Sequence, residues 1–129
     1  MTNKSFFTNF EESLILQRLW NFIAQNQIIR IKGLLGSSLS FYCSTIIKKS
    51  LNPSLFVFNN KEESLYFLND IETLNPEKKI FYFPELSKES YSDKYPNNYN
   101  LLQRTEVIEH LNFSKNKNSI IVTHINAIA

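Results

Sequence analysis

Apolar and polar positions change period several times along this chain, and each change predicts an element. Thr8 or Asn9, with Glu11 or Glu12 three residues on, provides an N-terminal capping signal, and Leu16, Leu19, Trp20 and Ile23 then recur at helical spacing. These positions predict an amphipathic helix over 9–25. Gln27-Ile-Ile-Arg-Ile-Lys32 is short, β-branched and stopped by Gly33, which predicts a strand running into a tight turn. After the turn Leu39, Tyr42, Cys43, Ile46 and Ile47 follow the i, i+3, i+4, i+7, i+8 rule, so a helix with that stripe toward the core is expected to about Ser50.

The alternation continues. Asn52-Pro53 breaks the chain, Leu55-Phe-Val-Phe58 is a continuous apolar run, and Asn60 with Glu63 forms a capping box for a helix over 61–74. Asn75-Pro76 ends that helix, Ile80-Phe-Tyr-Phe83 predicts a third strand, and Pro84 closes it. The polar stretch 85–97, which contains Pro96, reads as a loop. Leu101, Leu102, Thr105, Ile108 and Leu111 line one face of a helix expected at 98–112, and Ser119-Ile-Ile-Val-Thr123 predicts a fourth strand after a polar turn at Lys115-Asn-Lys-Asn118. Short apolar strands separated by helices predict an α/β fold with a three-layer parallel sheet covered on both faces. The order β-α-β-α-β-α-β over 27–124 fits a doubly wound or RecA-like core within a single domain, 1–129. Ile125-Asn-Ala-Ile-Ala129 reads as the first turn of a helix cut short, so the sheet is expected to be incomplete and the chain a piece of a much longer protein.

In doubly wound sheets ligands bind beyond the carboxyl ends of the strands, which directs attention to the turn after the first predicted strand. It reads Gly33-Leu-Leu-Gly-Ser-Ser-Leu-Ser40. Against the phosphate-loop pattern GxxxxGK[ST], Gly33 matches the first glycine and Ser40 the metal-binding hydroxyl, whereas Ser38 replaces the second glycine and Leu39 the lysine. The lysine would place a positive charge on the β- and γ-phosphates, and the glycine would let the backbone approach them; leucine and serine do neither. The loop is therefore a degenerate phosphate loop in which Gly33, Gly36, Ser37, Ser38 and Ser40 could hold an anion weakly through helix N-terminal amides. The plainer reading gives the two glycines only a turn-shaping role, with Ser37 or Ser38 as N-cap and Leu39 in the core.

Composition changes this picture little. A chain of 129 residues, 43% hydrophobic, can bury one core. A net charge of +2 demands no nucleic acid or anionic membrane as partner. The first residues lack a signal-peptide apolar core, and charged or amide residues interrupt every hydrophobic stretch, so a cytoplasmic protein is expected. The single cysteine, Cys43, lies on the predicted apolar stripe and reads as a buried structural thiol. His110 and His124 have no Cys or carboxylate at ligand spacing, which favours surface or capping roles and no metal site. Arg104 and Glu106 fit either a polar contact to DNA or a neighbouring domain, or a solvated helix face, and the latter is the more ordinary.

The chain also resembles a known family. Within Lys32-Gly-Leu-Leu-Gly-Ser-Ser-Leu-Ser-Phe41, the eight residues Gly33 to Ser40 align without gaps to the GVTGSGKT loop of the helicase-like B component of nucleotide-excision repair. More closely, that segment, Asn59-Asn-Lys-Glu-Glu63 with Tyr66-Phe-Leu-Asn-Asp70, Phe83-Pro84, Asn98-Tyr-Asn-Leu-Leu-Gln-Arg-Thr-Glu-Val107 and Ile120-Ile-Val-Thr123 occur in the order found in the amino-terminal region of bacterial transcription-repair coupling factor, Bacteroidetes-type. The resemblance spans roughly 28–129. It departs at Glu85–Lys94, where the family has a basic and aromatic stretch, and at Gln103, which replaces a leucine. It implies a non-catalytic module, without cofactor, of a protein that releases stalled RNA polymerase at DNA lesions and recruits excision repair. In that family ATP and Mg²⁺ act through motor domains, and RNA polymerase, DNA and the A component of excision repair are met by domains that lie mostly outside this sequence. The module's own partners are the neighbouring domains, with no membrane. The alternatives from the residues are a residual nucleotide-binding ATPase or helicase-type domain that holds ATP with Ser37, Ser38, Ser40 and backbone amides, or a decayed remnant of a gene.

Overall fold

Ile120 to His124 are all buried, and this run forms the central strand of a three-stranded sheet. The computed structural model describes residues 9–10, 12–86, 98–114 and 118–129. Its elements are α1 (Leu14–Ala24), α2 (Ser38–Lys49), β1 (Ser54–Phe58), α3 (Lys61–Leu74), β2 (Ile80–Phe83), α4 (Asn98–Phe113), β3 (Ile120–His124) and α5 (Ile125–Ile128). Both β1 and β2 pair with β3 in parallel, with Ser54 and Ile80 each opposite Ile120, which gives the order β1-β3-β2. Parallel strands need crossover connections, and α3 and α4 are the elements that separate them in sequence. The protein is thus α/β with a small parallel sheet. Among the described residues no helix is long and apolar enough to cross a membrane.

Each face of the sheet has its own apolar cluster. Cys43 and Ile47 of α2, Phe67 and Ile71 of α3, and Ile120 and Val122 of β3 form one, with Phe56, Phe58, Ile80 and Tyr82 packed against it. Phe67 anchors it, its ring lying 5.0 Å from that of Phe56 and 4.8 Å from that of Phe58. On the other face Val107 of α4 meets Phe81 and Ile121. Because β1 is an edge strand and alternates about the sheet plane, Leu55 and Val57 stay 60% and 45% exposed on the α4 side.

Four expectations need correction. The first of the four expected strands, at 27–32, does not form: 27–35 is neither helix nor strand, and Ile28 is fully exposed. The segment pairs with neither edge strand, β1 or β2, and a β-branched run outside a sheet gains little from its propensity. The first helix is capped by Ser13, whose hydroxyl accepts from the Leu16 amide at 3.4 Å, rather than by Asn9, which is itself helical; Thr8 and Glu11 lie outside the described residues. It ends through Asn26, whose φ of 54° is left-handed.

The α2 stripe is rotated from the predicted one. Ser40, Cys43, Ser44 and Ile47 face inward and Leu39 sits 36% exposed at the rim, because the two serine hydroxyls find acceptors on α3 and at its C-cap. The turn of α4 is larger. Leu101, Leu102, Ile108 and Leu111, expected to face the core, are 49–65% exposed, and Val107 is the buried residue. Polar anchors turn the helix this way. The Arg104 guanidinium donates to the carbonyls of Pro84 (2.8 Å) and Ala127 (2.9 Å) while its carbon lies 3.9 Å above the Phe83 ring, and His110 packs at 4.4 Å on Phe81. The loop expected at 85–97 lies outside the described residues beyond 86, as do 115–117 of the polar turn.

Candidate functional site at the loop entering the second helix

Gly33 and Gly36 have φ of 83° and 53°, in the left-handed region that favours glycine, and a Cβ at either would meet no atom within 4 Å. Backbone conformation, not close approach, accounts for both glycines. Ser37 occupies the N-cap of α2 without a side-chain capping bond, and the Ser38 hydroxyl donates to the Leu35 carbonyl at 2.7 Å. Ser40, in the metal-binding position of the phosphate-loop pattern, is 3% exposed and donates its hydroxyl proton to Oδ2 of Asp70 at 2.9 Å. That partner, on α3, has no counterpart in the loop pattern itself.

These residues open onto a hollow of about 660 Å³ at the carboxyl end of β1. Leu34, Leu39, Phe58 and Phe67 supply apolar wall, and Tyr66 adds an aromatic ring at the mouth, 69% exposed. The polar lining is Gly36, Ser37 and Ser40 from the loop side and Glu63 and Asp70 from α3. Among the described residues that line it there is no lysine, arginine or histidine. Two carboxylates therefore stand where a phosphate site needs positive charge. A unit charge brought within a few ångströms of a like charge costs about 1 kcal/mol in water and about 4 kcal/mol at the screening typical of a protein surface.

The α3 helix holds this arrangement in place. Asn60 caps it by accepting from the Glu63 amide at 2.9 Å, and Asn75 closes it, donating from Nδ2 to the Ile71 carbonyl at 2.9 Å. Asn75 is fully buried and its Oδ1 accepts from Ser44 of α2 at 3.1 Å. Ser40–Asp70 and Ser44–Asn75 thus tie successive turns of α2 to α3. Burial pushes the Cys43 thiol up to about 12, since the thiolate would lose its hydration in the apolar cluster beside those bonds.

A second polar group lies at the carboxyl ends of β2 and β3. His124 is 1% exposed, and its Nδ1 is 3.3 Å from the Tyr82 hydroxyl, which in turn is 3.2 Å from Ser64 Oγ. Ser64 gives its own proton to the Lys61 carbonyl at 2.6 Å, so the Tyr82 proton serves either Ser64 or His124. His124 Nε2 makes no hydrogen bond among the described residues; Glu85 Oε2 faces it at 3.5 Å, a contact too long for a strong one. Sequence spacing alone suggested a surface or capping role for His124, and no linear pattern links it to Ser64, Tyr82 and Glu85. Arg104, read from the sequence as more ordinarily part of a solvated helix face, donates to carbonyls of its own chain, and Glu106 pairs with Lys79 at 2.7 Å on the surface.

Fold and site together define an α/β protein whose loop before α2 faces carboxylates and apolar side chains. Comparison of the chain with protein-family models, with curated proteins and with solved structures finds no match.

Proposed function

We propose that this chain is a non-catalytic docking module of RecA-like descent whose loop at 33–40 is a phosphate loop converted to other use. The observation that carries this reading is the exposure of apolar residues on α4: Leu101, Leu102, Ile108 and Leu111 are exposed while Val107 is buried and Arg104 and His110 contact the rest of the fold. A helix held with its leucines toward solvent is a surface that a partner can bury. Against an enzymatic reading stand Leu39 in the lysine position, Ser40 donating to Asp70, and Glu63 and Asp70 around the hollow. The resemblance in motif order supplies the context. The chain acts as the amino-terminal scaffold of a transcription-repair coupling factor, and its partners are other domains of that protein, which carry the ATP-driven motor and the contacts to RNA polymerase, DNA and the A component of excision repair.

Two measurements test this. Calorimetry with Mg²⁺-ATP on the chain, and on a Ser38→Gly, Leu39→Lys double variant, is expected to give no heat from the native chain; micromolar binding by it would put a nucleotide-binding enzyme first. Mixing the chain with a transcription-repair coupling factor that lacks its own amino-terminal region is expected to give a complex that Leu101→Ser, Ile108→Ser disrupts. Absence of any complex would remove the family assignment and leave the ATP result standing.

A further inference from the structure

The hollow before α2 has the composition of a receptor for an organic cation. Its volume of about 660 Å³ lies within the range of small-ligand sites, roughly 300–1,000 Å³. Its walls are Leu34, Leu39, Phe58 and Phe67, so a bare, strongly hydrated ion gains little there, while a group with an apolar body covers surface that water now wets. Tyr66 lines the hollow and is 69% exposed, and an aromatic ring is a partner that ammonium and guanidinium groups favour. Glu63 and Asp70 supply two negative charges, and among the described lining residues there is no cation to neutralise them. Asp70 is held at 2.9 Å by the Ser40 hydroxyl, so one carboxylate is oriented before any ligand arrives.

We infer that this hollow binds an amphipathic cation, an ammonium or guanidinium group carried on an apolar stem, with its charge between Glu63 and Asp70 and its stem along Leu39, Phe58 and Phe67. The inference rests on the reading of the loop as no longer a nucleotide site and extends it by naming the opposite charge. The same chemistry reaches the site as a small amine or as the side chain of a partner protein's lysine or arginine, and both present the same group to the two carboxylates.

The test uses three probes of one shape and different charge: 2-phenylethylammonium, 2-phenylethanol and 3-phenylpropanoate, each titrated into isotope-labelled chain and followed by amide chemical shifts. The ammonium is expected to bind most tightly and the carboxylate least, with shifts centred on Ser40, Glu63, Tyr66 and Asp70. Glu63→Gln and Asp70→Asn, the latter keeping an acceptor for Ser40, are each expected to weaken the ammonium about fivefold, the effect of losing one partly screened ion pair, while leaving the alcohol unchanged. Equal binding of carboxylate and ammonium, or an ammonium affinity untouched by both variants, overturns the inference. Mg²⁺-ATP in a parallel titration separates the two levels: silence from ATP and ammonium alike removes the cation site and keeps the non-catalytic reading, whereas shifts with ATP at the same amides remove both. An arginine-containing peptide that reproduces the ammonium's shifts more tightly than free 2-phenylethylammonium assigns the site to a protein side chain; the reverse order assigns it to a small amine.

Discussion

Replacing Asn75 by alanine removes the residue that closes α3 and ties it to α2, and its cost follows from the contacts. Two hydrogen bonds go, Ser44 Oγ to Asn75 Oδ1 at 3.1 Å and Asn75 Nδ2 to the Ile71 carbonyl at 2.9 Å. The Ile71 carbonyl keeps the Asn75 backbone amide at 3.0 Å, so the second loss is the lighter one. Ser44, 4% exposed, is left with a hydroxyl proton and no acceptor, which adds about 1–3 kcal/mol to about 1 kcal/mol for each bond. The sum is about 3 kcal/mol, a large share of the roughly 5–15 kcal/mol that keeps a domain folded, and it lowers the urea midpoint by about 1.5 M at a slope of about 2 kcal/mol per M. A mutant cycle isolates the reason. Ser44→Ala alone should cost about 2 kcal/mol by stranding Asn75 Oδ1, yet the double variant should cost only about 3 kcal/mol, because neither partner then leaves the other unpaired. An Asn75→Ala cost under about 1 kcal/mol, or single costs that add within about 0.5 kcal/mol, would refute the claim that this buried pair holds α2 against α3.

Three further outcomes are expected. Because burial raises the Cys43 thiol from 9.0 to about 12, the folded state keeps the neutral form: the associated stability is whole at neutral pH and is lost as pH rises from about 9 through 12, and a thiol-specific chromogenic reagent at about pH 8 should label Cys43 in urea but only slowly in the native chain. Tyr82→Phe removes the hydroxyl between Ser64, 0% exposed, and His124, 1% exposed, and should destabilise the chain by about 2 kcal/mol in thermal melts, while Lys79→Met, which breaks a pair with side chains 69% and 56% exposed, should change stability by less than about 1 kcal/mol. Val57→Lys on the open edge of β1 should leave the melting temperature nearly unchanged and reduce self-association measured by sedimentation; increased association would show that this edge is not the sticky surface.

By itself the sequence determined the local elements whose signals are local. Asn60 and Glu63 fixed where α3 starts, Asn75-Pro76 where it stops, and the apolar runs at 55–58, 80–83 and 119–123 defined three strands with ends within a residue of those observed. Capping and chain breaking act over three or four residues, so a linear reading can see them. Tertiary structure decided which of several plausible faces points inward and which segments find partners. Gln27–Lys32 has the residues of a strand yet pairs with neither β1 nor β2, the two edge strands of the order β1-β3-β2. The leucines of α4 have the spacing of a core stripe, but Arg104, His110 and Val107 find carbonyls and rings on the sheet side, and a helix can bury only one side against one sheet. The same holds for the loop. Its glycines, its serines and the missing lysine are legible in eight residues, whereas the carboxylates that set its charge come from α3, with Asp70 thirty positions beyond Ser40, and only the packing of α2 on α3 brings them together.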